Sequence, residues 1–229
     1  SLWPEKFSID HYLKIKKTLD YASWYSIYQQ SPRSLEGSVI KLSQIKFWKE
    51  LPRKNDIMIL SWDLTFDETE SGSFVVGQVW VKSGPDYFLV DQFRKRIDFV
   101  ENIQAIKNMV ALYPQARAKL IENKANGSAM IKTLKKEING IIPVNTSGSK
   151  YNRLVAVSPL FESGNVYFPE PSKKPWVHDL VDELCSFPKA AHDDQCDALS
   201  QALDYLEKKN GIDAAQSIFL GEERGANKW

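Results

Sequence analysis

The chain has 229 residues, 43% of them hydrophobic, and a formal net charge of +1 from 30 basic and 29 acidic residues. That length and apolar content exclude a disordered chain and suit one domain of generous size, or one domain with an appended segment. The balanced charge announces no polyanionic partner, though it leaves room for a local basic face.

Only two cysteines occur, Cys185 and Cys196, without metal-ligand spacing or the count of a secreted framework, so both read as small buried residues in a reducing compartment. No apolar run reaches the roughly 18 residues of a membrane span, and no signal-peptide pattern is present, which gives the expectation of a soluble, cytosolic protein. The first residue, Ser1, fits a piece cut from something longer.

In chain order, residues 1–51 form an arm without visible chemistry. Trp3-Pro4-Glu5 leads into an amphipathic stretch from about Ile9 to Gln29, in which Tyr12, Ile15 and Leu19 have helical spacing. Its aromatic stripe reads as packing rather than as a platform for stacking bases. The core domain is expected over 52–210, with a tail over 211–229. Its first element is the apolar run Ile57 to Leu60, a strand buried on both faces that ends in Asp63. Ser73 to Lys82 and Tyr87 to Phe93 follow as strands joined by short turns, which makes the first three antiparallel. Ile97 to Leu112 carries a helical period and stops at Tyr113-Pro114. Lys119 to Glu122 is a fourth strand, reached by a helical crossover and so parallel to its neighbour. Asn126-Gly127 opens another helix, and Ile141 to Val144 is a fifth strand. A loop with Ser147 to Lys150, a helical patch from Leu154 to Leu160, a short strand Val166 to Phe168 and a helix from Trp176 to Leu184 come next. A long helix from near His192 to about Lys208 closes the series, with the seam Cys196, Leu199, Leu203, Leu206.

The acids carry the chemistry. Asp63 and Glu122 each end a strand, and parallel neighbours bring their carboxyl ends to the same side of a sheet. In His192-Asp193-Asp194-Gln195-Cys196-Asp197-Ala198-Leu199, Asp194 and Asp197 are three apart and share one side of a helix. Two readings stand for part of this cluster, since Asp193 could simply be the N-cap. Three crowded acids repel one another, and a divalent cation relieves that repulsion; hard oxygen donors select Mg²⁺ or Mn²⁺ over zinc. The chemistry that suits such a cluster is phosphodiester hydrolysis by two ions about 4 Å apart. No G-x-S-x-G motif competes with it, and no Walker A pattern is present.

Trp62-Asp63, Ile121-Glu122-Asn123-Lys124-Ala125-Asn126-Gly127, Phe187-Pro188-Lys189 and the acidic cluster together resemble the nuclease domain of bacteriophage terminase large subunits, over roughly residues 52 to 208. The resemblance implies an RNase H-like α/β fold with a mixed five-stranded sheet, three antiparallel strands and then two parallel, flanked by helices. Trp3-Pro4-Glu5 and Tyr28-Gln29-Gln30-Ser31-Pro32 look like the tail of the packaging ATPase and its linker. By the family pattern the catalytic metal ligands fall on Asp63, Glu122 and Asp194, with Asp193 and Asp197 as further members. Asp194 with Asp197-Ala198-Leu199 also resembles the final D-x-x-D-A-L motif of junction resolvases.

The loop Gly148 to Arg153 falls where the family has basic residues before a helix. For Lys150 and Arg153, and for Lys124 beside Glu122, phosphate contact and a merely solvated basic turn are both open. The function implied is a Mg²⁺- or Mn²⁺-dependent endonuclease on concatemeric double-stranded DNA in the bacterial host cytoplasm. The implied partners are the packaging ATPase domain, a small terminase subunit and a portal, with no membrane. The competing readings are a structure-selective junction nuclease or transposase of the same fold, and a catalytically silent module that binds DNA or capsid.

Overall fold

The structure is a computed structural model that describes residues 6–18, 38–52, 57–64, 74–123 and 127–209. In chain order it has α1 (Ile9–Thr18), a 3-10 turn (Leu42–Gln44), β1 (Lys46–Trp48), β2 (Ile57–Asp63), β3 (Val75–Ser83), β4 (Asp86–Lys95), α2 (Phe99–Leu112), β5 (Ala118–Glu122), α3 (Gly127–Leu134), β6 (Ile141–Val144), α4 (Lys150–Glu162), β7 (Val166–Pro169) and α5 (Val177–Ser186). A last helix, α6, covers 194–209. Among the described residues no helix is long and apolar enough to cross a membrane. The expected continuation of the first helix to Gln29 lies outside the described residues.

One mixed sheet takes the order β1-β7-β4-β3-β2-β5-β6. The five expected strands form its contiguous part, β4-β3-β2-β5-β6. The antiparallel pairs β2/β3 and β3/β4 and the parallel pairs β2/β5 and β5/β6 are those anticipated. The sheet is nevertheless seven-stranded, not five-stranded. β7 pairs parallel to β4, and β1 pairs parallel to β7. β7 is the short strand expected at Val166 to Phe168, now placed in the sheet, whereas β1, three residues long, is too brief to show a period and gains its place only by pairing across the chain. The sheet therefore recruits Lys46–Trp48 from ahead of Leu51, and Ile40 is fully buried in the core.

Strand alternation divides the core between two faces. Ile59, Trp80, Leu89, Ala118 and Leu120 look towards α4, α5 and α6, meeting Leu154, Phe161, Leu180, Leu184, Leu199 and Leu203. Met58, Leu60, Trp62, Val79, Val81 and Ile121 look the other way, onto Ile106 and Met109 of α2 and Met130, Ile131 and Leu134 of α3. The result is a three-layer α/β/α sandwich. Trp62 lies so close across β3 that a Cβ on Gly77 would sit 2.5 Å from its ring, so that strand needs a glycine there.

Candidate metal centre

Register places the first two acids. Trp62 pairs with Ile121 in the parallel β2/β5 ladder, so Asp63 and Glu122, one residue on, stand side by side at the carboxyl ends of adjacent strands. Neighbouring strands lie about 4.8 Å apart. Parity puts both acids on the face that bears Ile59, Ser61 and Leu120, the face covered by α6. Ser61 fixes that helix over β2: its hydroxyl donates to the Ala198 carbonyl at 2.7 Å and accepts from Gln201 Nε2 at 3.0 Å. The start of α6 thereby brings Asp194 and Asp197 to the same end of the same face.

Asp63, Glu122, Asp194 and Asp197 are only 8%, 4%, 3% and 5% exposed. Four buried carboxylates at one end of a sheet face need strong compensation. Glu122 Oε1 accepts from the Thr146 hydroxyl at 2.7 Å, and Asp194 Oδ2 accepts from the Phe74 backbone N–H at 3.2 Å. Burial pushes the Asp194 carboxyl above the ordinary aspartate range, against the pull of the Phe74 N–H and Lys150. Lys150 Nζ lies 2.5 Å from Asp193 Oδ1 and 2.7 Å from Asp197 Oδ2, and Arg153 pairs with Asp197 Oδ1. Burial works against the Lys150 ammonium, but its bonds to Asp193 and Asp197 outweigh that and raise its pKa.

These two cations are not in a loop before a helix, as expected from the sequence. They occupy the first turn of α4, which begins at Lys150 with Ser149 as N-cap, its hydroxyl accepting from Asn152 N at 3.2 Å. A cleft of about 220 Å³ opens beside Arg153, lined also by Val144, Thr146, Asn152, Ala156 and Gln201. Lys124 lies outside the described residues.

Asp193 stands at the N-cap position, but its carboxylate goes to Lys150. The helix is capped from elsewhere. Glu183 of α5, buried to 5% exposure, accepts from the backbone N–H groups of Gln195 at 2.7 Å and Cys196 at 3.0 Å through Oε1, and from Gln195 Nε2 at 2.6 Å through Oε2. Burial raises its pKa against those donors. Gln195 Oε1 accepts from Gln92 Nε2 at 2.8 Å, Gln92 Oε1 from Gln78 Nε2 at 2.9 Å, and Gln78 Oε1 from Trp80 Nε1 at 3.0 Å. This polar chain beneath the acids locks α6 to β3 and β4. Sequence reasoning missed Glu183 and the glutamines; the one signal available was Gln78, a polar residue in an otherwise apolar strand. Cys185 and Cys196 are buried thiols, as expected.

The donor set is one of hard carboxylate oxygens, which fits a divalent cation. Among the described residues no three His, Cys, Asp or Glu side chains already stand at a metal-holding spacing. The ion pairs with α4 draw Asp193 and Asp197 towards Lys150 and Arg153, so the acid group is open rather than closed about one point.

The terminase RNaseH-like domain model matches residues 60–206. No curated protein matches the chain. Among solved structures, the large terminase nuclease from thermophilic phage G20c is 16% identical, with a TM-score of 0.54, over 71% of this chain and 95% of that one. The same nuclease with bound magnesium is 15% identical, with a TM-score of 0.55, over 75% of this chain and 98% of that one. A large terminase from a second thermophilic bacteriophage is 13% identical, with a TM-score of 0.54; 88% of this chain is covered but only 53% of that protein, so this chain spans about half its length. At these identities the neighbours show the fold. By the match over residues 60–206, the chain belongs to the terminase RNaseH-like domain family.

Proposed function

We propose that this chain is the metal-dependent endonuclease domain of a DNA-packaging terminase large subunit, cutting concatemeric double-stranded DNA by two-metal-ion hydrolysis in the host cytoplasm. The reading is supported by the side-by-side register of Asp63 and Glu122 at adjacent strand ends, with buried Asp194 at the start of the helix that covers the same face. Those three residues would hold Mg²⁺ or Mn²⁺, with Asp193 and Asp197 as further ligands. Bound there, the ions would activate water and stabilise the leaving oxygen. Fold neighbours solved with bound magnesium, zinc or cobalt support a divalent cation, and the choice of Mg²⁺ or Mn²⁺ rests on the carboxylate donors.

The chain's own residues then have distinct tasks. Thr146 orients Glu122, and the Phe74 N–H orients Asp194. Lys150 and Arg153 are the DNA-contacting cations of this reading, with Lys124 a third, and a phosphate must compete with Asp193 and Asp197 for the first two. The packaging ATPase, the small subunit and the portal belong to the whole protein and are part of the proposal.

The test is cleavage of supercoiled, linear and branched DNA by this chain with Mg²⁺, Mn²⁺, Ca²⁺ or EDTA, beside Asp63→Asn. Cutting of linear duplex with Mg²⁺ or Mn²⁺, lost in EDTA and in the variant, is the expected result. Cutting confined to branched DNA would replace the reading with a junction nuclease. Equal activity in Asp63→Asn would end it.

A further inference from the structure

We propose that Arg94 and Arg96, stacked on the Phe74 ring, are positioning residues that grip a backbone phosphate of the DNA duplex beside the acids. This rests on the nuclease reading above. The guanidinium carbons lie 4.0 Å (Arg94) and 4.2 Å (Arg96) from the ring centroid. Two planar groups cannot share one ring face at those distances, so the phenyl ring lies between them. Stacking uses the flat face of a guanidinium and leaves its N–H edges for acceptors in the plane, the geometry that suits phosphate oxygens.

Register sets this stack beside the acids. Asp63 pairs with Val76, and Val76 with Arg94, across β2, β3 and β4. Paired residues share a face, so Glu122, Asp63, Val76 and Arg94 form one row at one end of the sheet. Two strand spacings separate Asp63 from Arg94, about 10 Å. Continuing the ladder, Phe74 comes opposite Arg96 on the same face. The Phe74 backbone N–H holds Asp194, and its ring meets His192 edge-on at 5.0 Å, so the arginine stack is tied directly to the acids.

Arg94 stands between the ring and buried Glu183, and Arg96 at the surface. Arg94 Nη2 is 3.6 Å from Glu183 Oε2, too long for a hydrogen bond, and its buried Nε has no hydrogen-bond acceptor. Arg96 is exposed where the strand ends. A duplex laid over Asp63 must cross the neighbouring strand ends, and its charge next to four carboxylates calls for cations there. Lys150 and Arg153 reach a phosphate from α4 only in competition with Asp193 and Asp197. The Phe74 stack supplies basic groups from β4.

The test measures binding of a short fluorescent duplex by anisotropy in EDTA across a salt series, with Mn²⁺-dependent cleavage assayed in parallel. Arg96→Ala should weaken binding several-fold and lower the slope of log affinity against log salt by about one. Arg96→Lys should restore the slope. Arg94→Lys should weaken binding while leaving the melting temperature near that of the parent. Lys135→Ala, on the opposite helical layer, should change nothing. A parent that binds and cuts duplex, with Arg96→Ala and Arg94→Lys matching it in affinity and slope, would overturn the proposal and leave the nuclease reading standing. Lys135→Ala as damaging as Arg96→Ala would also overturn it. A parent that neither binds nor cuts duplex would remove the nuclease reading and this proposal together.

Discussion

Lys150 of α4 places its ammonium 2.7 Å from the buried carboxylate of Asp197 on α6, and Arg153 pairs with the other oxygen of the same group. Asp197 is thus neutralised by a neighbouring helix. Removing Arg153 leaves a carboxylate of 5% exposure with half its compensation. Arg153→Ala should cost about 1–3 kcal/mol, below the full value for a broken buried pair because Lys150 stays in place. Arg153→Ala combined with Asp197→Asn should recover most of that loss. Urea unfolding of the two single variants and the double variant checks the cycle.

The acids should be visible to divalent cations without any cutting. Mn²⁺ or Mg²⁺ should raise the melting temperature of the parent, and Asp63→Asn should abolish the shift. Thr146→Val removes only the hydroxyl that donates to Glu122 Oε1 at 2.7 Å. It should weaken cation affinity by about 10-fold while leaving every carboxylate in place. A melting titration over cation concentration separates the two variants.

Asp194 gives stability a pH dependence of defined sign. Burial raises its carboxyl above the ordinary 3.8, so between that value and the raised one the folded chain holds a proton that the unfolded chain does not. This contribution is full below 3.8 and is lost as pH rises through the raised pKa. In EDTA, Asp194→Asn should therefore gain stability over the parent as pH increases, with the two converging in acid. Melting curves across the acid-to-neutral range test this.

Glu183 caps α6 from another helix, which makes it a structural support of the acid group. Glu183→Ala should cost about 2–4 kcal/mol, because two helix-start N–H groups lose their buried acceptor. Glu183→Gln keeps one oxygen and should cost less. Urea unfolding gives the stabilities, and amide exchange at Gln195 and Cys196 locates the loss.

Gly77 should tolerate no side chain. Gly77→Ala drives a methyl to 2.5 Å from the Trp62 ring, and the strain should cost about 1–3 kcal/mol. Near-ultraviolet circular dichroism reports whether the indole moves.

Much of this arrangement was legible in the chain. The run Ile57 to Leu60 and the acid after it, the crossover to Glu122 and the spacing of Asp194 and Asp197 are local patterns, and local patterns fix period, direction and face. What stayed hidden depends on pairing between distant segments. β1 is three residues long and gains its place only by lying against β7. Glu183 sits in an amphipathic helix like many others until α6 docks above it. Lys150 and Arg153 carried no mark of the carboxylates they meet, and Ser149 ahead of Lys150 was the single local hint that a helix begins there.

The order in which the acids occur along the chain has its own consequence. Asp63 and Glu122 are translated well before Asp194, and α6 settles over β2 only through contacts such as Ser61 with Ala198. A nascent chain still on the ribosome, with its last helix unmade, holds a pair of strand-end carboxylates and nothing to complete them. On the nuclease reading, the acid group cannot be assembled until the helix that begins at Asp194 has been made.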